Sequence, residues 1–255
     1  MKEATVRYMS TRRLDFACAQ LRILSYIDVT ENKVITSTKN HMFVVWNINN
    51  DTQKEYKTRF EEGKVYRIKG RKWIGGNHYI MGEFSDDIEC FYVSEVIGEV
   101  EDCKELEEIY AEFIRPVVIS NETFGELSLN KEFYTLNGTI SYHGANIGVR
   151  VEVKEGKEKT WQKNIRLLEE FYRTFENTDK LARELVANKL YRLACNYNED
   201  GITKEEIAER IRVSEITMIN SKVEIDYEDD GIFGGHGIVV EGSVKSGLKK
   251  AYIWG

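Results

Sequence analysis

The densest gathering of groups able to do chemistry is the segment Glu228-Asp229-Asp230-Gly231-Ile232-Phe233-Gly234-Gly235-His236-Gly237. Carboxylates this close to an imidazole could ligate a cation or divide the work of an acid–base pair. The same residues also spell a tight strand connection, because positive φ is cheap for Gly and nearly so for Asp. On that reading His236 caps the next strand or bonds a neighbouring backbone group, and nothing reacts. A calcium loop of the EF-hand type needs oxygen ligands at alternating positions and a distal Glu, which this spacing lacks. The turn is the expectation. A metal-dependent or hydrolytic site using His236 with Asp229 or Asp230 is the alternative.

Two strand-like stretches carry charge of one sign. In the first half, Lys69, Arg71 and Trp73 close a run that also holds Lys57, Arg59, Lys64, Arg67 and the rings of Tyr56 and Tyr66. A basic strand face beside aromatic rings could hold single-stranded nucleic acid by phosphate contacts and base stacking. Glu55, Glu61 and Glu62 interrupt the run, and lysine also serves to blunt a sheet edge. In the second half, Glu224, Asp226 and Glu228 alternate with Val223, Ile225 and Tyr227, so one face of that strand is buried and the other negative. That face could receive a basic partner, or the chain's own basic strand. A solvated surface is the plainer account of both stretches.

Other chemistry finds no supporting spacing. His41, His78, His143 and His236 stand far apart, and none lies three to five residues from a second His or a Cys, so no zinc motif is written locally. There is no GxSxG elbow, no Walker-type phosphate loop and no HExxH helix. The Gly-Gly pairs at 75–76 and 234–235 precede strands, without the helix N-terminus that a phosphate cradle uses. Cys195 falls within an apolar helical stripe and is expected to be inert core. No metal and no cofactor are expected.

The elements that must position these groups follow from pattern. With 255 residues, 42% hydrophobic and 31% charged, the chain can bury and cover two cores. Residues 1–100 read as a strand-rich β domain, a small β-barrel-like or curled antiparallel sheet. Residues 101–116 form a helical connector, with Leu106, Ile109, Tyr110 and Phe113 on one stripe and Pro116 ending it. Residues 117–255 read as an α+β domain, an antiparallel sheet with three helices on one face. It opens as a three-stranded meander with turns at Asn137-Gly138 and His143-Gly144. In its first helix Trp161, Ile165, Leu168, Phe171 and Phe175 recur at helical spacing, and Asn177-Thr178-Asp179 breaks the run. The best-signed helix starts at Thr203, with Glu206 completing a capping box and Ile202 and Ile207 placed as a hydrophobic staple.

The second domain resembles a bacterial family known only as domain of unknown function 2262. The likeness rests on FGELSLNKEF at 124–133, EEFY at 169–172, DKLARELVANKLYRLA at 179–194, ITKEEIAERI at 202–211 and the closing DDGIFGGHGIVVEGSVKSGLKKAYIWG at 229–255. The first domain is similar to a strand-rich module found ahead of it. The resemblance implies a fold class and a bacterial cytoplasmic setting, and brings no activity, cofactor or catalytic residues.

Composition narrows the partners. No run of 18 apolar residues exists to span a bilayer, so no membrane is expected. Four dispersed cysteines, Cys18, Cys90, Cys103 and Cys195, suit a reducing cytoplasm. Residues 1–100 carry 15 basic and 14 acidic side chains, whereas residues 101–255 carry 21 and 29. The acidic second half repels phosphates, which disfavours nucleic acid there. The expectation is a non-enzymatic protein-interaction or accessory module, of immunity type among others, whose partner is another protein.

Overall fold

The structure is a computed structural model that describes residues 5–10, 15–36, 42–48, 59–72, 78–80, 83–85, 89–198 and 201–254. Trp73, Tyr56, Lys57 and the turn clusters at 49–51 and 75–77 lie outside the described residues. The chain divides into two compact units, Met1–Arg115 and Pro116–Gly255.

The first unit runs β1 (Thr5–Ser10), β2 (Asp15–Arg22), β3 (Ser25–Asp28), β4 (Lys33–Thr36), β5 (Met42–Asn47), β6 (Tyr66–Lys72), β7 (His78–Ile80), β8 (Glu83–Ser85), β9 (Glu89–Glu99) and α1 (Lys104–Ile114). Its main sheet has the order β1-β2-β5-β9-β6 and is antiparallel except at β5–β9. Among the described residues it is open, with β1 and β6 as edges, so the closed barrel is not realised. Strand β5 is central and apolar on both sides, so Met42 through Trp46 are all buried. Trp46, 1% exposed, meets Phe60 edge to face at 5.2 Å, and Phe60 meets Tyr66 in the same way at 5.1 Å. The predicted stripe of α1 is its half-buried side.

The second unit runs β10 (Val118–Asn121), β11 (Gly125–Asn130), β12 (Thr135–Tyr142), β13 (Ala145–Glu152), α2 (Glu158–Tyr172), α3 (Phe175–Tyr197), α4 (Lys204–Arg210), β14 (Arg212–Ile219), β15 (Lys222–Glu228), β16 (Gly237–Ser243) and β17 (Gly247–Trp254). The eight strands lie in sequence order in one sheet, antiparallel except at β13–β14. A parallel pair of neighbours needs a crossover, and the three helices are that crossover. They bury Trp161, Ile165, Leu168, Phe171, Phe175, Val186, Leu190 and Ile207 against inward strand residues such as Leu127, Val149, Ile216, Ile225 and Val240. A bulge between Val213 and Glu215 lets Val213 and Ile216, three residues apart, both face this core.

Three local expectations are corrected. Asn137-Gly138 is no turn but lies inside β12, where Gly138 leaves room for Leu127; a Cβ there would sit 2.6 Å from Leu127 Cδ2. The reversal falls at residues 131–134, where Asn130 Oδ1 accepts the backbone N–H groups of Glu132 and Phe133. The helix break lies at Arg173–Thr174, and α3 runs through Asn177–Asp179 because Asp179 serves distant partners instead of the local backbone. Cys195 is exposed, one position off the buried stripe that carries Ala194. His143 and Gly144 do form the β12–β13 turn, both at positive φ. The capping box at Thr203 and Glu206 is present in full, and Ile202 and Ile207 are buried beside it.

Candidate functional site

The loop from Asp229 to His236 is organised by one carboxylate. Asp229 is 7% exposed; its Oδ1 accepts the Gly231 N–H at 3.0 Å, and its Oδ2 accepts those of Phe233 at 2.8 Å and Gly235 at 2.9 Å. Burial pushes this carboxyl up, but the three backbone donors outweigh it and hold it below the usual range. Asp230, Gly231, Gly234 and Gly235 all take positive φ, which the Asp-Gly and Gly-Gly pairs supply at low cost. Asp230 turns to Arg210, whose Nε donates to Oδ2 at 2.9 Å while Nη2 donates to the Asp230 carbonyl at 2.8 Å. His236 Nδ1 donates to the Phe233 carbonyl at 2.6 Å, so its Nδ1–H tautomer closes the loop. Glu228 is exposed at the end of β15. These residues share a loop, yet Asp229 and His236 are turned to the loop's own backbone and Asp230 to Arg210 of α4. Neither Asp229 nor Asp230 is hydrogen-bonded to the imidazole.

The face of the eight-stranded sheet away from the helices is different. Alternation puts polar side chains there on every central strand. One row across β12 to β17 reads Asn137, Arg150, Thr217, Glu224, Glu241 and Lys250; the next reads Gly148, Glu215, Asp226, Val239 and Tyr252. An open concavity of about 450 Å³ lies over these rows, with Tyr252, Trp254 and Phe133 among its lining side chains. Those three rings are 39%, 60% and 54% exposed.

Most charges on this face are paired. Arg150 Nη2 meets Glu215 Oε2 at 3.0 Å, and Glu215 Oε1 accepts from the buried Thr217 hydroxyl at 3.1 Å. Glu241 accepts from the Tyr252 hydroxyl at 2.6 Å and from Lys250 Nζ at 3.0 Å. Those two donors, Tyr252 first, hold the Glu241 carboxyl low; the Glu241 carboxylate in turn pushes the Tyr252 phenol up to about 12. Glu224 and Asp226 accept no hydrogen bond from any described residue. Burial, then the charges of Glu215 and Glu224, push Asp226 up to about 6, against a smaller downward pull from Arg150. Burial and Glu241 likewise raise Glu224, with Lys222 opposing.

Two glycines shape the face. A Cβ on Gly148 would lie 3.0 Å from Glu215 Oε2, so its absence lets Glu215 lean toward Arg150. A Cβ on Gly237 would lie 2.5 Å from Trp254 Nε1, so Gly237 is the seat of the indole.

In the first unit, Lys69 and Arg71 are exposed on edge strand β6. Lys69 stands opposite Glu95, and the Arg71 guanidinium lies 5.8 Å from the centre of the Tyr92 ring facing it. Nearby Lys64 pairs with Glu99 at 3.0 Å and Glu61 at 3.2 Å. Glu61 from within the basic run and Glu99 from β9 thus neutralise part of it.

The residue reading found Glu224 and Asp226 from one strand's alternation. It missed Arg150, Glu215, Glu241, Tyr252 and Trp254, whose own strands alternate as plainly; what it lacked was the strand order that sets them side by side. Among the described residues, no His, Cys, Asp and Glu side chains are grouped to hold a metal ion, and no helix is long and apolar enough to cross a membrane. Residues 121–253 match the family described as "Uncharacterized protein conserved in bacteria (DUF2262)", and residues 6–113 match "Domain of unknown function (DUF7021)". No curated protein and no solved structure matches the chain.

Proposed function

We propose, for a chain that belongs to the bacterial family DUF2262, that it is a non-enzymatic protein-binding module whose second unit docks a basic protein on its open sheet face. The observation that carries this is the concavity over β12–β17, where unpaired carboxylates and exposed aromatic rings meet on a surface that the helices leave uncovered. Exposed rings clustered with polar groups are what protein interfaces select, and acidic surface steers a cationic partner. The loop at His236 supports the reading from the other side, because Asp229 and the His236 imidazole are used in holding the chain's own turn. An accessory role, including the immunity-type role of neutralising a partner, fits such a face. We place the protein in the cytoplasm, where Cys90, Cys103 and Cys195 stay reduced.

The test compares the full chain with its Glu224→Lys/Asp226→Lys variant as baits in lysate of the host bacterium. A protein held by the native chain and lost by a variant with unchanged circular dichroism is expected. Its direct binding is then measured with purified material by calorimetry. Identical captures by both baits would remove the sheet face from the function.

A further inference from the structure

We propose that the concavity is the seat of an arginine side chain presented by the partner protein, with its guanidinium between Glu224 and Asp226 and its stem against Tyr252 and Trp254. The inference rests on the docking function above and names the chemistry that this face recognises. Glu224 and Asp226 are two residues apart on β15 and point the same way, about 7 Å from each other along the strand. Their neighbours Glu215 and Glu241 already have cationic partners in Arg150 and Lys250, so the two remaining carboxylates are the ones that an incoming cation would complete. Both are half-buried, which makes their charge costly until it is paired.

The walls choose among cations. A small metal ion needs oxygen ligands converging within about 2.0–2.6 Å, and two acids spread along one strand do not converge. A guanidinium is broad and planar: it can donate to separated carboxylates and lay its face on an aromatic ring. Tyr252 and Trp254 offer such rings, and the half-buried Ile219 with buried Val239 gives the methylene stem an apolar bed. At about 450 Å³ the concavity is in the size range of side-chain and small-ligand pockets, about 300–1,000 Å³. It is open on one side, as suits a side chain carried on another protein's surface.

The test titrates the full chain with a capped Gly-Arg-Gly-Arg-Gly peptide and follows the Trp254 indole N–H by NMR, assigned through Trp254→Phe. A saturable shift with Kd on the order of 1 mM is expected, weakening as salt rises. Asp226→Asn with Glu224→Gln should weaken binding at least about tenfold. The citrulline peptide, neutral but similar in shape, should leave the signal unmoved. Trp254→Ala, read by calorimetry, should weaken binding without disturbing the fold, because the indole is exposed. No shift with the arginine peptide, or equal binding by the Asp226→Asn/Glu224→Gln variant, overturns the proposal. Equal or tighter binding of the lysine peptide overturns the guanidinium assignment, and equal or tighter binding of spermidine shows a polyamine site instead. A partner lost by the Glu224→Lys/Asp226→Lys bait while the arginine peptide fails to bind would sink this inference and leave the docking function standing.

Discussion

Asp229 and Asp226 are three residues apart, and their surroundings pull them in opposite directions. Asp229 is held low, so its bonds to Gly231, Phe233 and Gly235 contribute stability above the ordinary aspartate pKa and lose it as pH falls through the depressed value. Asp229→Ala removes the acceptor for three N–H groups, two of them around the buried Ile232-Phe233 pair, and should cost about 2–4 kcal/mol in urea unfolding. A loss below about 1 kcal/mol would mean that the loop holds itself. Asp226 has the reverse sign: raised from 3.8 to about 6, it binds its proton more tightly folded than unfolded. The stability it contributes is complete below pH 3.8 and is lost as pH climbs through about 6. Asp226→Asn should therefore stabilise the chain at pH 7.5, by roughly 1 kcal/mol after solvent screening, and flatten stability between pH 4 and 6. Thermal melts at the two pH extremes read this directly, and a variant that is less stable at pH 7.5 contradicts it. The segment's residue types were legible in the sequence as a turn. That Asp229 alone organises it was not, because the hydrogen bonds depend on a loop path that composition does not fix.

At the scale of elements, α3 is fastened to the sheet by a buried charge. Asp179, 4% exposed, accepts from the Tyr227 hydroxyl of β15 at 2.8 Å and the Tyr142 hydroxyl of β12 at 3.1 Å, and takes both 2.9 Å contacts of Arg183 Nε. Arg183 Nη1 reaches on to the carbonyls of Ala208 and Ile211, satisfying the end of α4. Burial, then Asp179, pushes both tyrosines well above the usual phenol range, so they stay neutral donors. Asp179→Ala strands Arg183 beside an apolar core and should cost about 3–5 kcal/mol. Tyr142→Phe, at the longer and more exposed bond, should cost about 1 kcal/mol. Chemical denaturation of both variants checks the order, and equal losses would mean that the arginine finds other partners. Sequence reading took Asp179 for part of a helix break, since an Asn-Thr-Asp run caps helices more often than it lies within one. The Thr203 capping box was read without error because its signal is purely local. Elements declared by near neighbours were legible, and those decided by tertiary partners were not.

For the molecule as a whole, the chain divides into two compact units, Met1–Arg115 and Pro116–Gly255. The parallel pairings β5–β9 and β13–β14 were not visible, because periodicity reports which face is buried and says nothing of which strand lies alongside. The core cluster of the second unit is drawn entirely from residues beyond Pro116. Residues 116–255 expressed alone should therefore fold, with a single cooperative thermal transition and near-ultraviolet dichroism from the buried Trp161 and Tyr227. A broad, non-cooperative melt would show that the unit needs the first to fold.

The crossover between β13 and β14 sets when this surface can exist. Arg150 precedes the three helices and Glu215 follows them, yet their ion pair lies on the concave face, and Tyr252 and Trp254 join it from the last strand. A ribosome-bound chain that has emerged only as far as α4 holds a single member of that ion pair and neither of those rings. The face is thus complete only once β17 has been translated, so it assembles at the end of the domain's synthesis.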